Sequence, residues 1–171
     1  MKKAFFFVII SVLISLTVKS QETYPSFIEF NEWKGAGFSA YVSLYVSDSC
    51  RMKDTVCLKT YFFVKFKIDT LGQVRNISSN LGASVNIAES FKKAVLSTSG
   101  HWKPFLKNKK VLESPFLILP IYVHLQTCKP ALKLQDTISQ SFNSLHKFDD
   151  KTSIENELCI FLKPAILVSV Y

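Results

Sequence analysis

The sequence predicts an α+β domain, and three stretches carry that prediction. From Phe62 to Ile68 the side chains alternate. Phe62, Val64, Phe66 and Ile68 point one way, and Phe63, Lys65 and Lys67 the other. A period of two marks a strand with one covered and one wetter face. Between Ile87 and Thr98, residues Ile87, Phe91, Ala94, Val95 and Thr98 fall on one helical face, with Lys92, Lys93 and Ser97 opposite. Near 111–125 a long apolar run puts Leu117, Leu119, Ile121, Val123 and Leu125 on one side of a second long strand. The order is strand, hairpin, strand, helix, strand.

Taken from the start, Met1–Ser20 reads as a signal peptide cleaved after Ser20: Lys2 and Lys3, an apolar run from Ala4 to Val18, then Lys19-Ser20-Gln21. The run falls short of the ~20 residues that span a bilayer. Residues 21–36, with Pro25 and Gly35, read as a lead-in loop. Phe38–Val46 suits a strand nearly as well as a helix by composition. After Phe62–Ile68, Gly72 supplies the positive φ of a tight hairpin. Val74 and Ile77 are three apart, which predicts a bulge in the return strand or an early end to it. Asn86 with Glu89 forms a capping box for the helix, and Gly100 is its stop. Pro115 and Pro120 cannot donate ladder hydrogen bonds, so the 111–125 strand is expected at a sheet edge. Beyond it, Leu134, Ile138, Phe142 and Leu145 have helical spacing. Leu158–Tyr171 reads as a strand interrupted by Pro164.

The net charge is +8. Loss of Met1–Ser20, with three lysines and no acid, leaves +5, which with no basic-aromatic motif excludes a nucleic-acid binder. Lys92, Lys93, Lys103, Lys107, Lys109 and Lys110 form a basic cluster with no acid between Glu89 and Glu113. It suits an acidic partner, a membrane surface or plain solvation. Cys50, Cys57, Cys128 and Cys159, in an exported chain, point to two disulfides. If Phe116–Leu125 and Leu158–Val168 pair as antiparallel neighbours, Cys128 and Cys159 fall at one end of the sheet and bond. No CxxC is present and no histidine stands at metal-ligand spacing. His101, His124 and His146 sit beside no nucleophile motif, and the five glycines form no phosphate loop. An enzyme, a metal and a cofactor are therefore not expected.

The segments VKFKIDTLGQVRNI, ESFKKAVLSTSGHWKPF and KKVLESPFLILPIYVHL, in that order, resemble the C-terminal domain of TonB, the energy transducer of Gram-negative bacteria. FSAYVSLYVSD is similar to that domain's first helix, so the resemblance covers residues 37–125. It implies a small antiparallel sheet with two helices packed on one face. Residues 126–171 are then a C-terminal extension, a helix or loop and a strand, packing on the same sheet. In that family the strand after the second helix recruits an extended peptide from an outer-membrane receptor by β-augmentation. Here that strand would present Phe116, Ile118, Pro120, Tyr122 and His124, unless the C-terminal strand already occupies the edge. The expected function is an exported protein- or peptide-binding module, periplasmic or at the cell surface, with a homodimer compatible. The alternative is an anchored energy transducer, which would meet a membrane only through an uncleaved N-terminal segment. Gln21–Ala36 spans at most about 55 Å when extended, a short reach for a transducer.

Overall fold

The computed structural model describes residues 22–49, 58–80, 85–125, 148–150 and 158–169. The alternating run forms strand β3 (Leu58–Ile68), which turns back into β4 (Val74–Ser79). The turn is built by one side chain. Asp69 Oδ1 accepts from Leu71 N at 2.9 Å and Gln73 N at 2.8 Å, and Oδ2 accepts from Arg75 Nε at 3.0 Å. Gly72 sits at a φ of +77°. The register shifts between Lys65 and Lys67, with Asn76 at a φ of +49°, so the expected bulge is present. On the other side of β3, β8 (Phe116–Leu125) pairs antiparallel from Leu58↔Leu125 to Phe66↔Leu117.

One face of this sheet is covered by α1 (Gly37–Ser49) and α2 (Val85–Leu96). Val42 and Val46 from α1 and Ile87, Phe91, Ala94 and Val95 from α2 are buried against Phe62, Val64 and Phe66 of β3 and Leu117, Leu119, Ile121 and Val123 of β8. The two alternating sets therefore supply the core, and burying each such side chain contributes about 1.5–3 kcal/mol. α2 starts at Val85, which makes Asn86 its second residue and not its cap. Trp102 begins β5 (Trp102–Lys103) and is buried among the rings of Phe27, Phe38 and Phe66. Its Nε1 donates to Thr98 Oγ1 at 3.0 Å, which satisfies the indole N–H inside the core.

The lead-in forms more than the expected loop. β1 (Glu22–Thr23) pairs with β6 (Phe105–Lys107), and β2 (Ser26–Phe27) pairs with β5. The run near 111–125 is also divided. β6 and β7 (Lys110–Leu112) make a hairpin through Asn108 and Lys109, both at positive φ, and Ser114-Pro115 separates it from β8.

The C-terminal extension corrects the sequence reading most. β9 (Cys159–Phe161) and β10 (Ala165–Ser169) lie on the same sheet, but both run parallel to β8. The sheet is mixed, in the order β10, β8, β3, β4, with β9 also on β8. Phe116, Ile118, Pro120, Tyr122 and His124 thus lie on an interior strand and not on an edge. Pro120 is tolerated there for a local reason. Phe63 directs its backbone at β4, donating to Asn80 Oδ1 and accepting from Asn80 N, so Phe63↔Pro120 is a non-hydrogen-bonded pair. The absent N–H of Pro120 therefore faces the extension. Leu162 N donates to Ile118 O, and in a parallel ladder Leu162 O would next need the Pro120 N–H. The strand breaks at that point, and the pairing slips by one residue between Ile118↔Phe161 and Ile121↔Ala165.

Parallel pairing also removes the basis for a Cys128–Cys159 bond. Cys159 sits opposite Phe116, at the far end of β8 from Leu125, a separation of roughly 30 Å at strand rise. Cys50, Cys57 and Cys128, the helix expected over Leu134–Leu145 and Met1–Ser20 lie outside the described residues.

Candidate binding edge

The five β8 residues named above share the sheet face turned away from the helices. Phe116, Ile118 and Pro120 are buried; Tyr122 and His124 are half-buried. Cross-strand rows extend them sideways: Tyr61, Tyr122 and Ile166 in one, Lys65, Ile118 and Phe161 in another. Burial pushes the Tyr61 phenol above its ordinary pKa. At one end of this face Phe148 packs on Phe63, Phe116 and Ile118. Lys65, fully buried, lies 4.3 Å from the Phe148 ring centroid and 4.8 Å from that of Phe116, with Asp150 Oδ1 at 3.4 Å. Asp149 accepts from Ser79 N, Ser79 Oγ and Lys92 Nζ, and its own N donates to Ser79 O.

With β8 enclosed, the outer strands of the sheet are β4 and β10, and they differ. β4 is capped at one end by Asp149 and at the other by Ser99 Oγ, which accepts from Val74 N at 2.8 Å. Its middle is bulged and carries exposed Arg75. Caps, charge and a bulge are the usual defences of a sheet edge. β10 is Ala-Ile-Leu-Val-Ser, without charge, proline or bulge. Among the described residues nothing pairs with its outer side. Alternation along the ladder settles which groups face out. Pro120, Tyr122 and His124 direct their backbones at β10, so Ala165 and Leu167 answer them, and Ile166 and Val168 turn their N–H and C=O outward. Ile166 is 57% exposed and Val168 48%, while Ala165 and Leu167 are buried under α1.

The flank of α1 beside this strand is open to approach. Ser39 Oγ donates to Lys163 O, which places the Ser39 side of the helix over the extension. At 100° per residue, Ala40, Ser43 and Ser47 continue that flank, all of them small.

The basic cluster is dispersed by the fold. Lys92 and Lys93 stand on α2, Lys103 on β5, and Lys107, Lys109 and Lys110 on the β6–β7 hairpin. Lys92 is neutralised by Glu89 at 2.6 Å and Asp149 at 2.8 Å, and Lys107 by Glu22 at 2.9 Å. Desolvation pushes the Lys92 ammonium down, but the two carboxylates outweigh it and hold its pKa above the ordinary value.

Two open clefts lie beside His101 and Trp102. One, of about 540 Å³, is lined by Ile28, Glu29, Phe30, Tyr41 and His101; the other, of about 430 Å³, by Phe27, Phe38, Ser39, Trp102 and Lys163. His101 packs on Phe30 with ring centroids 3.9 Å apart and the planes tilted by 37°. Among the described residues no group of three His, Cys, Asp or Glu could hold a metal, and no helix is long and apolar enough to cross a membrane. The sequence reading missed the β10 edge. Its signal was the uncharged, nearly continuous apolar run of Ala165–Ser169, which became meaningful only once the strand's neighbour was known. Comparison of the chain with protein-family models, with curated proteins and with solved structures finds no match.

Proposed function

We propose that this chain is an exported protein-binding domain of the TonB C-terminal type that recognises its partner by sheet-edge pairing. The outer edge of β10 is the observation that carries the reading. Among the described residues nothing pairs with it, it turns the N–H and C=O groups of Ile166 and Val168 outward, and the opposite edge at β4 is capped. The order of strands and helices, and two helices over one face, agree with the family resemblance. In the family the strand after the second helix accepts the peptide. Here the chain's own extension fills that place, and the accepting edge moves outward by one strand. Main-chain hydrogen bonds supply affinity, and alternate side chains supply selectivity. Export rests on the Met1–Ser20 pattern. The test is photo-crosslinking in the envelope from a reactive residue placed at Ile166 or at Arg75. Capture of one envelope protein from Ile166 and none from Arg75 is expected. The reverse pattern would move the site to β4.

A further inference from the structure

We infer that Phe148-Asp149-Asp150 fills, within its own chain, a site for an extended peptide presenting an aromatic residue followed by two acids, and that a partner segment of this chemistry displaces it. The site lies at the edge opposite β10 and does not rest on the reading of that strand. Its parts stand on β3, β4, α2 and β8. Phe148 sits in an apolar seat of Phe63, Phe116 and Ile118. Asn80 and Phe148 form an antiparallel bridge, and Asp149 N donates to Ser79 O at 2.9 Å, so the segment adds to the outer side of β4. Ammonium groups surround the seat. Lys65 lies 4.3 Å from the Phe148 ring centroid and 3.4 Å from Asp150 Oδ1. Lys92 lies 2.8 Å from Asp149 Oδ2, and Lys67 lies 4.5 Å from the Phe116 ring centroid. Lys92 and Lys67 also meet Glu89 and Glu113.

A separate peptide could supply each of these contacts: one aromatic ring, two carboxylates and one main-chain pairing. The floor of the seat shows what it selects. A plug that served stability alone would rest on an apolar residue, because a buried ammonium is costly to desolvate and adds little net stability even when paired. Here the floor is Lys65, fully buried, with its ammonium close to two aromatic rings. Such a group discriminates between occupants. It favours one that brings a ring and a carboxylate, and it is left desolvated and unmatched under one that brings neither. The net charge of +8 draws acidic segments toward the chain from a distance. Covalent connection sets the balance between the two occupants. The chain's own segment competes at an effective concentration of about millimolar, so a free peptide prevails only at comparable concentration or when that segment is released.

The test is fluorescence anisotropy of a labelled peptide with the sequence of residues 145–153, added to the chain as recovered from the cell. Phe148→Ala, Asp149→Ala and Asp150→Ala together open the site, and this variant should bind the peptide at least about tenfold more tightly than the wild type. A peptide with alanine for its phenylalanine, or with asparagine for both aspartates, should lose at least about tenfold on the opened variant. Lys65→Met added to that variant should erase most of the preference for aspartate over asparagine at the peptide's second acid, while binding through the ring persists. An opened variant that folds but binds no better than the wild type makes the contact a fixed part of the core and overturns the proposal. Binding that ignores the aromatic ring is attraction between charges alone and overturns it as well. If the opened variant misfolds, the wild type carries the test. Exchange of the Asp149 amide hydrogen, held by Ser79 O, should quicken with millimolar peptide and not with the alanine-substituted control. An unchanged rate there overturns the proposal.

Discussion

Gly72 joins two distant parts of the fold through a single absent methyl group. A Cβ there would lie 2.4 Å from the carbonyl oxygen of Trp102, and the residue's φ is +77°. Gly72→Ala should therefore cost about 3 kcal/mol, from left-handed strain and overpacking together. Urea unfolding reads this directly, and an unchanged midpoint would mean that the turn and Trp102 separate freely. Next to it, Asp69 is partly desolvated, which raises its pKa, but the Gln73 N–H, the Arg75 guanidinium and the Leu71 N–H prevail and hold it below the ordinary 3.8. A carboxyl depressed in the folded state adds stability above its unfolded pKa and loses it as pH falls through the folded one. The stability gap between wild type and Asp69→Asn should thus be open at neutral pH and close below 3.8. A gap that persists in acid would assign the effect to shape and not to charge. The turn at Gly72 was legible because glycine has few uses between two apolar alternations. The contact with Trp102 was not, because it joins residues thirty apart in the chain and leaves no local pattern.

Strands β3 and β8 were legible for the same reason that they fold: alternate apolar residues face one set of helices. The strand directions in the extension were not. The almost wholly apolar run of Leu158–Tyr171 suits parallel and antiparallel pairing equally, and the break that decides the register depends on a proline in another strand, Pro120. Lys65 is the clearest misreading. Its place in the alternation put it on the wetter face, yet Phe148–Asp150 folds over it and leaves it fully buried. Asp150 lies 3.4 Å from its ammonium. Asp150 keeps 32% of its side chain exposed, so the pair is only half-buried and Asp150→Ala should lose about 1 kcal/mol. Lys65→Met should be neutral or stabilising, because an apolar chain of that length fits between Phe116 and Phe148. Equal losses from the two substitutions, measured by thermal unfolding, would mean that the ion pair itself stabilises the fold.

For the molecule as a whole, export is the reading that decides where any partner is met. Mass spectrometry of the protein from envelope extracts should give an N-terminus at Gln21; full-length protein found only in the membrane pellet would overturn it. The fold class was readable from three periodic stretches, whereas the open edge of the sheet depended on which strand lies outermost, a property of the assembled sheet. Parallel pairing also imposes a timetable. A chain released N-terminus first completes β3, β4, α2 and β8 well before it presents Cys159, 43 residues after the Phe116 it must meet. Closing so long a loop onto a strand is slow beside the closing of a hairpin. Until it closes, Phe116–Leu125 is an apolar strand paired with β3 on one side only. The protein's yield is then set by how fast β9 and β10 arrive relative to chaperones and proteases, and a chain cut short before Cys159 would be degraded and not persist as a smaller domain.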